Sequence, residues 1–144
     1  MTQIYNLYEA DVSDMKLVIQ GIELVTPTKI VLHLNNKKQI TISLNSVQQC
    51  YEQFGLFYKK MGAYVSYDDI LDIKEATVEK IYIDRFMRKT YFGDLFYEVQ
   101  LKLCTNRGIY DIIMYNEHNG DYSHYFDIHL YFGENKIEQI QGKI

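Results

Sequence analysis

Apolar residues recur at every second position along most of this chain, in short runs separated by polar turns. That period belongs to strands with one buried and one wet face. Leu17 and Ile19, then Ile22 and Leu24, alternate with polar neighbours; the phase slips at Gly21, which predicts a β-bulge. Pro27 ends that strand. Ile30, Leu32 and Leu34, then Ile40, Ile42 and Leu44, form a hairpin across the polar turn 35–38 (Asn-Asn-Lys-Lys). Val78, Ile81 and Ile83 mark a further strand, and Val99, Leu101 and Leu103 point inward from another over 96–103. The turn 105–108 (Thr-Asn-Arg-Gly) leads into a strand over 109–115. Phe126, Ile128, Leu130 and Phe132 alternate with Asp127, His129 and Tyr131, and 137–140 pairs back across the turn 133–136. The two Asn-bearing basic turns occupy equivalent places, so the chain reads as two consecutive antiparallel meanders sharing a core.

Helical spacing appears briefly. Ser46 with Gln49 reads as a capping box, and Val47, Cys50, Tyr51 and Phe54 make one stripe of a helix over 46–54, closed by Gly55. Residues 55–66 read as an aromatic loop. Ser66 with Asp69 caps a second helical turn through Leu71. Residues 85–90 (Arg-Phe-Met-Arg-Lys-Thr) read as a basic turn, and 116–123 as a polar loop. The expected fold class is α+β: mainly antiparallel β-sheet, about eight strands in two meanders, with one short amphipathic helix and a second helical turn. No Gly/Ser-rich or Pro-rich linker divides the 144 residues, so residues 1–144 are expected to form a single domain.

Composition narrows the function classes. Hydrophobic residues make up 47% and charged residues 24%, a globular balance rather than a disordered one. A net charge of −4 argues against strong sequence-independent binding to a phosphate backbone. No apolar run approaches the roughly 18 residues of a membrane span. The N-terminus has neither the basic start nor the apolar core of a signal peptide. With two cysteines that implies reduced thiols and a cytoplasmic location, with no membrane partner. Fourteen residues are Tyr, seven are Phe and none is Trp, so most large aromatic area carries a hydroxyl. Such rings suit strands, and they suit binding surfaces.

Few residues carry chemistry. Cys50 sits on the apolar stripe four residues past its cap, where a thiol is ordinarily a small core residue; Cys104 has no partner at metal spacing. His118, Asp121 and His124 lie within seven residues but not at a metal-motif spacing, and Asn119-Gly120 between them is first a turn signal. Asp68, Asp69 and Asp72 suit a helix start. No Gly-rich phosphate loop, nucleophile elbow or Walker motif occurs, so no enzyme, metal or cofactor is expected. The strongest local departure from an acidic chain is Arg85, Arg88 and Lys89 interleaved with Phe86, Tyr91 and Phe92. A charge for a phosphate beside a ring for a base is what nucleotides need. The candidate ligand-binding set is Arg85, Arg88, Lys89 and Tyr91, with Arg107 from the equivalent turn and Asn119 and Tyr122 from the polar loop.

The order of these pieces resembles a small domain family of unknown function found mainly in phage and prophage genomes. The resemblance rests on an Ile-Thr-Ile-Ser-Leu strand at 40–44, Cys50-Tyr51-Glu52, Asp-Ile-Leu-Asp-Ile at 69–73 and Thr-Val-Glu-Lys-Ile at 77–81. It continues through the hairpin over 101–116 into Asn119-Gly120-Asp121-Tyr122. It spans roughly residues 17–132. Tyr51 stands where the family carries a second Cys, and Asp121 interrupts its paired aromatics. The resemblance implies a phage or mobile element in a low-GC bacterium, and no activity. In that setting the expected function is a non-enzymatic binding protein that inhibits a bacterial defence system, for example an anti-CRISPR acting by contact with a host protein complex. Exposed tyrosines and acidic loop residues would carry the contacts. Two readings stand beside it: a binder of a small molecule or nucleotide signal through the Arg85 segment, and a structural or assembly protein. A homodimer through an open sheet edge is compatible with each.

Overall fold

The computed structural model describes residues 2–45, 53–89, 93–118 and 123–144. Eleven strands form one hydrogen-bonded sheet: β1 (Thr2–Asp11), β2 (Leu17–Thr26), β3 (Lys29–Leu34), β4 (Gln39–Leu44), β5 (Gln53–Lys60), β6 (Ala63–Val65), β7 (Thr77–Lys89), β8 (Leu95–Thr105), β9 (Gly108–His118), β10 (Tyr125–Tyr131) and β11 (Ile137–Lys143). The described α-helix, α1, spans Tyr67–Ile70. All pairings are antiparallel, in the order β11-β10-β4-β3-β2-β7-β8-β9-β5-β6, with β1 also on β7.

The sheet turns back on itself at β2. Leu17 and Val18 pair with Val78 and Thr77 of β7, and from Ile19 onward β2 pairs with β3. The register slips between Ile19 and Gly21, the bulge that the broken alternation predicts. A bulge bends its strand, and here it carries the chain from one half-sheet to the other. Ile30, Leu32, Ile42, Ile128 and Leu130 from one half and Ile81, Ile83, Leu101 and Ile112 from the other bury completely or nearly so in a single apolar cluster. Each half therefore supplies what covers the other, as alternating faces require.

Two asparagines pin that splice. Asn35 accepts from the Val18 backbone N–H at 2.9 Å and donates to the Lys16 carbonyl at 2.9 Å. Asn106 accepts from the Thr77 N–H at 2.8 Å, and its own N–H donates to the Thr77 carbonyl at 3.1 Å. The two turns that look equivalent in sequence thus hold the two strands that meet, β2 and β7. In the second turn Gly108 has φ +123°, and a Cβ there would lie 2.7 Å from the Met61 sulfur, so glycine is required.

Several expectations need correction. The described residues form eleven strands, not about eight, the three additional ones being β1, β5 and β6. Residues 55–66 are not a loop: β5 and β6 form a hairpin there, and Gln53 and Phe54, assigned to a helix, begin β5. The rest of that helix, Ser46 to Glu52 with Cys50, lies outside the described residues. β5 carries Phe54, Leu56 and Tyr58 on one face and Phe57 on the other, so alternation is masked. β1 hides for the same reason, with Ile4, Tyr5, Leu7 and Tyr8 close together. Residues 85–89 are not a turn but the last third of β7. The meanders are not consecutive either, since β10 pairs with β4 and β5 with β9. The Ser66 capping box does form: Ser66 Oγ accepts from the Asp69 N–H at 3.3 Å, and Asp69 Oδ2 accepts from the Ser66 N–H at 3.2 Å. Among the described pairings β1, β6 and β11 each have one open side.

Asn35→Ala strands a partly buried N–H and a carbonyl at the splice. It should lower unfolding free energy by about 1–3 kcal/mol, read by chemical denaturation. Asn35→Asp keeps the acceptor and should lose less. Equal stability of Asn35→Ala and the native chain would show that the bulge bends the sheet without this clamp.

Candidate functional site

Because residues 85–89 are strand, their side chains alternate between the two faces of the sheet. Arg85 shares the inner face with Ile81 and Ile83, and its guanidinium carbon lies 5.6 Å from the Tyr97 ring centre. Arg88 points from the outer face, 4.6 Å from the centre of the Phe96 ring. The basic segment is therefore two half-sites on opposite faces, with exposed Lys89 on the Arg85 side. Tyr91, Asn119 and Tyr122 lie outside the described residues. Register brings Lys89, Leu95 and His118 side by side, since Lys89 pairs with Leu95 and Leu95's other neighbour is His118.

 Arg107 is not part of this site. It sits at the far end of β7, about ten residues or about 33 Å away, and donates to the carbonyls of Lys74 at 2.8 Å and Asp72 at 3.3 Å, fastening the 3₁₀ turn Leu71–Ile73 beside the splice.

The outer face holds a strip of rings that sequence reasoning did not assemble. Tyr64 of β6 lies 5.4 Å from Phe57 of β5, Phe57 lies 5.5 Å from Tyr115 of β9, and Tyr115 stacks on Phe96 of β8 at 6.2 Å and 13°. A cation caps each end: Lys59 over Tyr64 at 4.7 Å, and Arg88 over Phe96. Tyr64 is 71% exposed. Gly55, taken from sequence as a helix end, lies in mid-strand beneath Tyr115, whose ring atoms would stand 3.4 Å from an added Cβ. The sequence signal was available in one respect: Phe57, Phe96 and Tyr115 occupy the outward positions of their strands, where polar residues are ordinary.

Two concavities accompany the strip. A recess of about 590 Å³ opens on the inner face beside Arg85, where β1, β7 and β8 extend past the covering half-sheet. A groove of about 800 Å³ crosses the other half, lined by Lys29, Ser43, Asn45, Tyr125, Asp127 and Gln141 among others. In that groove Asp127 already accepts from Gln139 at 3.2 Å.

The remaining candidates take structural places. His118 is buried and stacks on Tyr97 at 5.2 Å; His124 is buried and stacks on Phe54 at 4.1 Å. Asp121, the third member of that set, is outside the described residues. Among the described residues no three His, Cys, Asp or Glu side chains come together as metal ligands. Asp69 is the capping residue, and Asp72 pairs with Lys60. The Cys104 thiol is pushed up by burial, away from the thiolate a nucleophile needs. Tyr58 is pushed up to about 12, by burial first and by Tyr67 second. No helix among the described residues is long and apolar enough to cross a membrane.

No protein-family model, curated protein or solved structure matches this chain.

Asp111 tests the electrostatics of the outer face. It is 5% exposed, cross-strand from Lys59 and Lys102, and its Oδ1 has no hydrogen-bond partner among the described residues. Burial raises its pKa, and the two lysines oppose that shift. A raised carboxyl pKa means that the folded state holds the proton more tightly than the unfolded one. The associated stability is present below about pH 4 and is lost as pH rises through the folded-state value. Asp111→Asn should therefore raise the melting temperature at pH 7 relative to the native chain, and the gain should vanish near pH 3. A loss at pH 7 would show that the two lysines outweigh desolvation.

Proposed function

We propose that this chain is a non-enzymatic binding protein that docks a partner protein on the outer face of the β5-β8-β9 region. The cation-capped aromatic strip is the observation that supports it. Tyr, Phe and Arg are the residue types that carry binding energy at protein interfaces, because they bury large area with few rotors to freeze. The strip is laid on strands rather than loops, so its rings are held in place before any partner arrives, which lowers the cost of association. Glu98, Glu117 and Asp111 share this face with the cations. That mixture suits a protein partner better than a phosphate backbone.

Of the contacts expected from sequence, exposed tyrosines and acidic loop residues, the proposed surface keeps the exposed Tyr64 and replaces the acidic loop with the other rings and their cations. The phage or prophage setting implied by the family resemblance supplies the direction of the proposal: the partner is a host defence complex, such as a CRISPR effector, and binding inhibits it in the bacterial cytosol. A nuclease complex that grips nucleic acid carries acidic as well as basic surfaces, and the strip offers Arg88 and Lys59 to the acidic ones.

Native mass spectrometry of the protein purified from a bacterial host should give a stoichiometric complex with one defence protein. Tyr64→Ser and Arg88→Ser replace exposed side chains at the two ends of the strip. Each should cost about 2 kcal/mol of binding, a factor of about 30, with melting temperatures unchanged. A complex that survives the double substitution, or no complex with any defence protein co-expressed, overturns the proposal.

A further inference from the structure

The inner-face recess has a different chemistry from the docking strip and lies on the other side of the same strands. Its origin is in the strand lengths. On β7 the inward Ile81 and Ile83 are fully buried, whereas Arg85 and Met87 emerge partly exposed; on β8 Val99 is fully buried and Tyr97 emerges. The strands have run out from under the opposing half-sheet. β1 continues beside them, with Tyr5 opposite Arg85 and Gln3 opposite Met87. A register slip between Asn6 and Tyr8 adds Leu7 to the wall.

Among the described residues, the one charged side chain lining this recess is Arg85. No carboxylate lies within ion-pair distance of it among the described residues. Its neighbour Asp84 faces the other side of the sheet and accepts there from Asn6 at 2.9 Å. Arg85 is nevertheless held. Its guanidinium lies over Tyr97, and Tyr97 stacks on the buried His118 at 5.2 Å and 19°. A guanidinium positioned by a ring keeps its charge, and its planar fork of N–H groups remains able to grip an anion from two points.

The rest of the lining is suited to a ring. Tyr5 is 53% exposed and stands beside Arg85. Its hydroxyl donates to Gln3 Oε1 at 3.2 Å, which fixes the Gln3 amide and leaves its N–H groups without an acceptor among the described residues. Leu7 and Met87 provide apolar wall. Planar bases stack on tyrosine rings and guanidinium planes, and amides read their edges. A space of about 590 Å³ falls within the range of small-ligand sites. A bare anion would use Arg85 and waste the rings; a neutral ring would leave the unneutralised charge without a partner.

We infer that this recess binds a nucleoside phosphate, with the phosphate at Arg85 and the base against Tyr5 and the Arg85–Tyr97 stack. The inference is independent of the docking reading, since Arg85 and Arg88 face opposite sides of the sheet. Either can fail without the other.

Isothermal titration calorimetry with AMP, GMP, CMP and UMP separates the possibilities. The best of the four should bind with a dissociation constant on the order of 100 μM, as suits an open recess. Adenosine, ribose 5-phosphate and inorganic phosphate should each bind at least about tenfold more weakly than that ligand. Arg85→Met should weaken binding at least about tenfold, and Arg88→Met, on the opposite face, should leave it unchanged. Tyr5→Leu, at an exposed position that the core does not need, should weaken it several-fold and gives a second check should Arg85→Met fold poorly. No binding by any of the four monophosphates below about 5 mM overturns the inference. So does inorganic phosphate or ribose 5-phosphate binding as tightly as the nucleotide, or Tyr5→Leu and Arg88→Met behaving alike.

Discussion

The fold depends on the short splice where β2 leaves β7 for β3. Only Leu17 and Val18 pair with β7, yet this junction joins the two half-sheets whose inner faces form one core. So brief a pairing is weak by itself. Asn35 and Asn106 reinforce it by bonding the backbone at Lys16, Val18 and Thr77, and Arg107 ties the preceding turn at Asp72 and Lys74 to the same place. Side chains that satisfy backbone groups at a strand end replace ladder bonds that the bend removes. Without them the halves would still have apolar faces, but nothing would set the angle at which those faces meet.

Local structure was legible in the sequence wherever one strand face is wet. The 30–34 and 40–44 hairpin, the inward residues of β8 and β10, the Gly21 bulge and the Ser66 cap all follow from side-chain spacing. Strands apolar on both faces were not legible: β1 carries Ile4 outward with Tyr5 and Tyr8 inward, and β5 carries Phe57 outward with Phe54, Leu56 and Tyr58 inward, so both lose the period of two. Partner choice was not legible either. The pairings of β10 with β4 and of β5 with β9 depend on which open edges meet in space, and a strand carries no mark of a partner that far along the chain.

The site shows the same division between composition and geometry. Sequence singled out Arg85 and Arg88 as basic residues set among rings, and both do lie over rings. It could not divide them. A turn would have presented both to one ligand, whereas a strand sends residues three apart to opposite faces, so a single error in secondary structure merged two surfaces into one. Arg107 was grouped with them because its turn is basic. Its guanidinium is instead occupied by two backbone carbonyls.

The abundance of tyrosine takes on a physical meaning once the cations are placed. Lys59, Arg85, Arg88 and Lys143 each stand over an aromatic ring, and none of them has a carboxylate within ion-pair distance among the described residues. A carboxylate would position a cation by cancelling its charge. A ring positions it through the quadrupole and leaves the charge available to a ligand. In a chain of net charge −4, steering alone would not bring an anion to the surface. Preorganised cations on rigid strands offer a different route, in which short-range geometry supplies the selectivity that the overall field does not.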